Sequence, residues 1–88
     1  MEATLIRSVV TIGRGPGNDI VLDDPHLSRR HCRILWYEEG ILIEDLGSIN
    51  GTVVNGQAVL HRRILRNGDV LSVGAHRFVI RGDSLVSF

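Results

Sequence analysis

Two arginines, a serine and an asparagine stand on three glycine-punctuated polar segments of this 88-residue chain. The segments are Gly13-Arg14-Gly15-Pro16-Gly17-Asn18, then Asp23-Asp24-Pro25-His26-Leu27-Ser28-Arg29-Arg30-His31, then Asp45-Leu46-Gly47-Ser48-Ile49-Asn50-Gly51-Thr52. Arg14 and Arg29 offer planar donor forks that match a phosphate or a carboxylate. Ser28 adds a hydroxyl and Asn50 an amide, and glycine turns let backbone N–H groups converge on one anion. Phosphate is the best occupant of such a set. Ten Asp+Glu balance ten Lys+Arg, so the formal net charge is zero and attraction to that anion is local rather than long-range. The same balance argues against a general nucleic-acid binder or an anionic-membrane binder, both of which need excess positive charge.

Other chemistries fit these residues poorly. A nucleophilic enzyme could be drawn from Ser28, His31 and an aspartate, but Ser28 lacks the G-x-S-x-G elbow and no oxyanion hole is evident. Asp23, Asp24, His26, His31 and Cys32 form a pool of metal ligands without a recognised ligand spacing. Gly13-x-Gly15-x-Gly17 needs a following helix to bind a dinucleotide, and here Asp19-Ile20-Val21-Leu22 reads as a strand that runs into Pro25. The sequence therefore calls for no cofactor, no metal and no small-molecule substrate, and it points away from an enzyme.

The elements that must hold these segments are strands. Leu, Ile and Val supply twenty-nine residues against one Trp, one Tyr and two Phe, which makes an aliphatic core. Val9–Ile12, Asp19–Leu22, Cys32–Tyr37, Ile41–Leu46, Val70–Val73 and Arg77–Arg81 read as strands. In the third, Cys32, Ile34 and Trp36 share one face while Arg33, Leu35 and Tyr37 share the other. Asn55-Gly56 between apolar residues is the strongest short hairpin signal, because a type I′ turn needs two residues at positive φ. Glu38-Glu39-Gly40 is expected to close a second hairpin with Gly40 in the left-handed position, and Asn67-Gly68-Asp69 marks a third turn. Many short strands at this spacing predict a β-sandwich or small barrel, with the polar loops gathered at one end. Residues 1–88 read as one domain, without linker or repeat.

Gly13-Arg14, Asn18-Asp19-Ile20, Ser28-Arg29-Arg30-His31, Asp45-Leu46-Gly47-Ser48-Ile49-Asn50-Gly51-Thr52 and Val54-Asn55-Gly56 together resemble, in order and spacing, the forkhead-associated (FHA) domain pattern. The resemblance runs from about Leu5 to about Ile80. It implies an all-β, SMAD/FHA-type sandwich of about ten or eleven mostly antiparallel strands, with binding loops at one end. It also implies a phosphothreonine-dependent peptide- or protein-binding module in Ser/Thr-kinase-linked signalling, binding without catalysis, and the domain is expected to be a module of a larger protein. Carried over residue by residue, Arg14 would contact phosphate, Ser28 would donate its hydroxyl and Arg29 would supply a second cation. Asn50 would pair with the peptide backbone. Gly13, His31, Gly47, Ser48, Gly51 and Thr52 would shape the loops. Ile49 departs from the pattern, where Thr or another polar residue is common. It removes one donor, and its branch could instead line a slot for the threonine methyl.

Several residues carry a plainer reading beside the sharp one. Arg30 is first a solvent-facing charge and second a contact for an acidic residue on a bound peptide. Asn55 is first a turn residue and second a peptide contact. Ser28 also suits a turn after Pro25. His31 is expected to hydrogen-bond backbone rather than to catalyse, and Asp45 to organise its loop. Cys32 is expected buried and inert. The lone cysteine, the lack of a long apolar run and the absence of a signal pattern in Met1–Val10 lead to the expectation of a cytoplasmic domain. The alternative function is a phosphate-independent protein-assembly domain of the same fold.

Overall fold

The computed structural model describes residues 6–88, so the Leu5 boundary falls outside the described residues. Among the described residues there are ten strands and no helix. They are β1 (Ile6–Gly13), β2 (Ile20–Val21), β3 (Cys32–Tyr37), β4 (Gly40–Asp45), β5 (Val53–Val54), β6 (Gln57–Ala58), β7 (Arg62–Leu65), β8 (Val70–Val73), β9 (His76–Arg81) and β10 (Ser84–Ser87). Two five-stranded sheets form, ordered β2-β1-β3-β4-β7 and β10-β9-β8-β5-β6. Only β1 and β2 pair in parallel; the other ladders are antiparallel. This is the mostly antiparallel sandwich expected from the alternation.

Alternating side chains fill the space between the sheets. Ile12, Ile34 and Ile43 from one sheet meet Val54, Leu71, Val73 and Ile80 from the other, all 0% exposed. At one end of the sandwich the Trp36 indole N–H donates to the Gly82 carbonyl at 3.1 Å, tying the two sheets. The functional loops occupy the opposite end, where β1 finishes, β3 begins and β4 finishes. Three segments cross between sheets: 46–52 after β4, 59–61 after β6 and 66–69 after β7.

The turns follow their residue chemistry with one exception. Asn55 and Gly56 have φ of 50° and 80°, the pair of positive values a type I′ hairpin requires, and Val54 pairs with Gln57 across them. Glu38 and Glu39 do close the β3–β4 hairpin, with Tyr37 opposite Gly40. Gly40, however, is absent from the left-handed region and simply opens β4. The six-residue β3–β4 ladder holds this turn without a primed geometry.

Leu35 corrects the simple two-face reading of β3. It points to the outer face, yet it is only 3% exposed. Val9 lies directly opposite it on β1 and Leu42 on β4, and Ile64 extends the row to β7. Apolar neighbours in register cover Leu35 from both sides.

Candidate functional site

The loop after β1 is zipped onto the loop before β3 by backbone bonds. Arg14 N–H donates to the Ser28 carbonyl and Gly15 N–H to the Arg29 carbonyl, each at 3.0 Å. The Arg29 carbonyl also accepts from Asn18 Nδ2 at 2.7 Å, and the same amide donates to the Gly15 carbonyl at 2.8 Å. This approach is possible only because residue 13 is glycine. A Cβ there would lie 2.3 Å from the Arg29 carbonyl oxygen and 2.8 Å from Asn18 Nδ2. The capping role of Asn18 is additional to the roles that the family pattern implies. The usable signal was an Asn directly after Gly-Pro-Gly, a composition suited to side-chain capping of a turn.

Arg14 is anchored at one nitrogen and open at the others. Its Nε donates to the Leu27 carbonyl at 3.1 Å. Its two terminal nitrogens have no partner among the described residues, and the side chain is exposed. Leu27 is itself plugged into the core at 3% exposed, and a Cβ on Gly74 would come within 2.9 Å of its Cδ2. The arginine fork therefore stands on a rigid base.

Ser28 joins the second loop to the third. Its Oγ accepts the Ile49 N–H at 3.0 Å, so the hydroxyl hydrogen is left to donate. Its own N–H donates to His31 Nδ1 at 3.2 Å. Because Nδ1 accepts, the His31 hydrogen sits on Nε2, which donates to the Gly51 carbonyl at 2.7 Å. His31 is 0% exposed and bridges two loops from behind. Asn50 Nδ2 donates to the His26 carbonyl at 2.5 Å. Its Oδ1 and second amide hydrogen have no partner among the described residues, and those are the atoms an extended peptide backbone can use.

The third loop is wound around Asp45. One carboxylate accepts from Gly47 N–H at 3.1 Å, Ser48 N–H at 3.0 Å, Ser48 Oγ at 2.5 Å and Thr52 Oγ1 at 2.7 Å. Partial burial pushes its pKa up, but the four hydrogen bonds outweigh that and hold it below the ordinary carboxylate value. Ser48 Oγ accepts the Gly51 N–H in turn, at 3.0 Å. Gly47 and Gly51 sit at φ of 77° and 84°, where a side chain is strained.

Ile49, Arg29, Arg30 and Asn55 fall differently. The Ile49 side chain is 89% exposed, so its contribution here is the amide that holds Ser28. Arg29 and Arg30 are both exposed beside the 13–18 loop. Asn55 lies away from the group. Its Nδ2 donates to Asp69 at 2.9 Å and its Oδ1 accepts the Val70 N–H at 2.9 Å, on the turn between β7 and β8. The structure thus gathers Arg14, Ser28, Arg29 and Asn50 at one end of the sandwich, with Gly13, His31, Gly47, Ser48, Gly51 and Thr52 beneath them, and spends the polar atoms of Asn55 elsewhere.

Comparison with known proteins bears on this arrangement. An FHA domain family model matches residues 10–74. The glycogen accumulation regulator GarA of Mycobacterium tuberculosis is 39% identical over 75 residues, which are 85% of this chain and 46% of that protein. The chain spans about half the length of the curated relatives it matches. The structure of Mycobacterium tuberculosis EmbR in complex with a low affinity phosphopeptide is similar at TM-score 0.81 and 34% identity, covering 83% of this chain and 19% of that one. The N-terminal FHA domain of S. cerevisiae RAD53P, in complex with a phosphothreonine peptide, is similar at TM-score 0.72 and 38% identity, covering 84% of this chain and 62% of that one.

Proposed function

The chain belongs to the FHA domain family, and from that premise we propose that it binds phosphothreonine segments of partner proteins through Arg14, Ser28, Arg29 and Asn50, without catalysis. The observation that carries this reading is the pairing of an anchored, open arginine fork with a serine hydroxyl whose hydrogen is free, both on loops fixed from behind. A phosphate dianion needs several donors already in place, and an anchored fork loses little freedom on binding. Arg14 would take two phosphate oxygens, Ser28 one, and Arg29 would add charge. Asn50 would hold the peptide backbone beside the phosphothreonine. We read residues 1–88 as a module of a larger protein, in Ser/Thr-kinase-linked signalling, and a cytoplasmic setting accords with the buried free thiol of Cys32.

Fluorescence polarisation with a degenerate phosphothreonine peptide library and its unphosphorylated twin tests the reading. Only the phosphorylated pool should bind. Arg14→Ala should weaken binding at least about thirtyfold, near 2 kcal/mol, because it removes a charged hydrogen-bond partner. Ser28→Ala should weaken it as well. Unchanged affinity in both variants would place the phosphate elsewhere. Equal binding of the two pools by the folded domain would instead make it a phosphate-independent assembly module. Phosphothreonine should bind better than phosphoserine, and equal affinity would mean that Ile49 supplies no slot for the methyl.

A further inference from the structure

The turn at residues 24–27 carries the anchors of two of the proposed ligand contacts. The Leu27 carbonyl accepts from Arg14 Nε at 3.1 Å, and the His26 carbonyl accepts from Asn50 Nδ2. Where this turn sits therefore sets where the arginine fork and the asparagine amide stand. Asp24 closes the turn on itself. Its Oδ1 accepts the His26 N–H at 2.9 Å, and its backbone carbonyl accepts the Leu27 N–H at 3.0 Å. The buried Leu27 side chain fixes the inner end of the turn. Pro25 and His26 are exposed, so the outer end needs a support of its own.

That support comes from the other sheet. Gly74 and Ala75 join β8 to β9, and this tight turn packs against the 24–27 turn. A Cβ on Gly74 would lie 2.9 Å from Leu27 Cδ2 and 3.3 Å from Asp24 Oδ2. His76, the first residue of β9, places its Nε2 3.3 Å from the same Asp24 oxygen. The pair is partly exposed, at 37% for the His76 side chain and 15% for that of Asp24. His76 also lines an open cleft of about 440 Å³, so protons from solvent reach the imidazole without any opening of the fold. Its other charged neighbours are few. Arg77 follows it on β9 and is exposed, and Asp23 is exposed beside Asp24. Ile20, Leu22, Ser87 and Phe88 share the cleft and bring no titratable side chain to it. An imidazole changes charge between about pH 5 and pH 8. The protonated ring attracts a carboxylate at this distance, and the neutral ring gives that attraction up.

We propose that His76 is a positioning residue for the phosphothreonine site, acting through Asp24 on the turn that holds Arg14 and Asn50, so that protonation of His76 raises affinity for a phosphopeptide. The proposal rests on the phosphothreonine reading and adds a pH-dependent regulation to it. His76 touches no ligand in this scheme. It braces the turn from the second sheet, and the ligand gains because Arg14 and Asn50 are held in place before it arrives. The size of the effect is bounded by what the pair is worth, since binding draws on no more than the difference between the braced and unbraced turn. A partly exposed ion pair supports a change of about threefold to fivefold.

The test measures the affinity of a fluorescein-labelled phosphothreonine peptide, chosen from the library, at about pH 5.5 and about pH 8 in physiological salt. The peptide phosphate and the other histidines titrate over the same range. The quantity read is therefore the ratio of wild-type to variant affinity at each pH, in which those groups cancel. For His76→Gln the ratio should be about threefold to fivefold at the lower pH and close to one at the higher. His76→Lys carries a permanent cation, so it should match wild type at the lower pH and exceed it at the higher. Asp24→Asn keeps an acceptor for the His26 N–H and removes the charge, and in that background His76→Gln should change nothing at either pH. The same background excludes plain attraction between the imidazolium and the phosphate, which would survive the loss of Asp24. A His76→Gln ratio that does not vary with pH overturns the proposal. So does a pH-dependent ratio that persists with Asp24→Asn, or a His76→Lys variant as weak as His76→Gln at the lower pH. Failure of the parent reading is distinct: wild type would then bind the phosphopeptide no better than its unphosphorylated form at either pH.

Discussion

Asp45 does more for the binding loops than any residue that would touch a ligand. Its carboxylate closes the turn at Gly47-Ser48, pins Ser48 and Thr52, and so fixes the segment that presents Ile49 N–H to Ser28. Its folded pKa is depressed. Stability from Asp45 is therefore fully present above the unfolded carboxylate pKa and is lost as pH falls through the lower, folded value. Asp45→Asn should cost about 1–3 kcal/mol near pH 7, since an amide nitrogen cannot accept the bonds it replaces. Urea melts should show the gap between wild type and variant shrinking below pH about 4, where the unfolded carboxylate gains its proton. A gap that stays constant down to strongly acid pH would mean the charge on Asp45 is not what the loop uses. The residue type and its place before Gly-Ser announced a loop organiser. That four donors would converge on it was not visible, because the Thr52 hydroxyl reaches back seven residues across a sheet crossover.

At the scale of elements, the glycines divide by what lies around them rather than by their neighbours in sequence. Gly13 and Gly40 both border strands. Gly13 lets the first loop press against the Arg29 carbonyl, where a Cβ would be at 2.3 Å from backbone. Gly40 has open space around it and no positive φ. Gly13→Ala should separate the two loops, lower stability and abolish phosphopeptide binding, while Gly40→Ala should keep binding and raise stability by about 0.4–1 kcal/mol through the unfolded chain. Thermal melts paired with binding titrations check both, and a benign Gly13→Ala would show that the zipper of Arg14, Gly15 and Asn18 is dispensable. Strands with clean alternation were legible. β3 and β8 match the sequence expectation end to end. β7 was missed because Arg62 and Arg63 mask its Ile64-Leu65 signal. β10 was missed because Ser84-Leu85-Val86-Ser87 is short and polar at both ends.

For the molecule as a whole, the two sheets close over one aliphatic core, and Cys32 lies within it. The thiol is 0% exposed, and burial, reinforced by the nearby Asp45 charge, pushes its pKa up to about 12 despite a hydrogen bond with Thr52. A thiol that is both inaccessible and protonated is inert. An aromatic disulfide reagent should therefore leave Cys32 unmodified in native buffer and modify it in urea with the midpoint of global unfolding. Rapid modification of the native domain would mean that β3 opens locally at the edge of the binding loops, which a rigid reader cannot tolerate. The same core supports the loops from below. Leu27, Ile12 and Cys32 are part of it, and the buried Thr52 adjoins it beneath the candidate site.

Strand alternation, the Asn55-Gly56 hairpin and the donor chemistry of Arg14, Ser28, Arg29 and Asn50 are legible in residue order alone, because each depends on residues close together in the chain. The sequence also carries the ordered motifs that mark the family. Which donors remain available depends instead on how the folded loops pair with one another. Arg14 spends one nitrogen on Leu27, Ser28 spends one lone pair on Ile49, Asn55 spends its carbonyl oxygen and one amide hydrogen on the β7–β8 turn, and Arg29 and Arg30 come to line a cleft with Gly15 and Gly17. Hydrogen-bond capacity is finite for each group, and its partners lie up to 24 residues away along the chain, so what is left for a ligand is settled only when the loops have met.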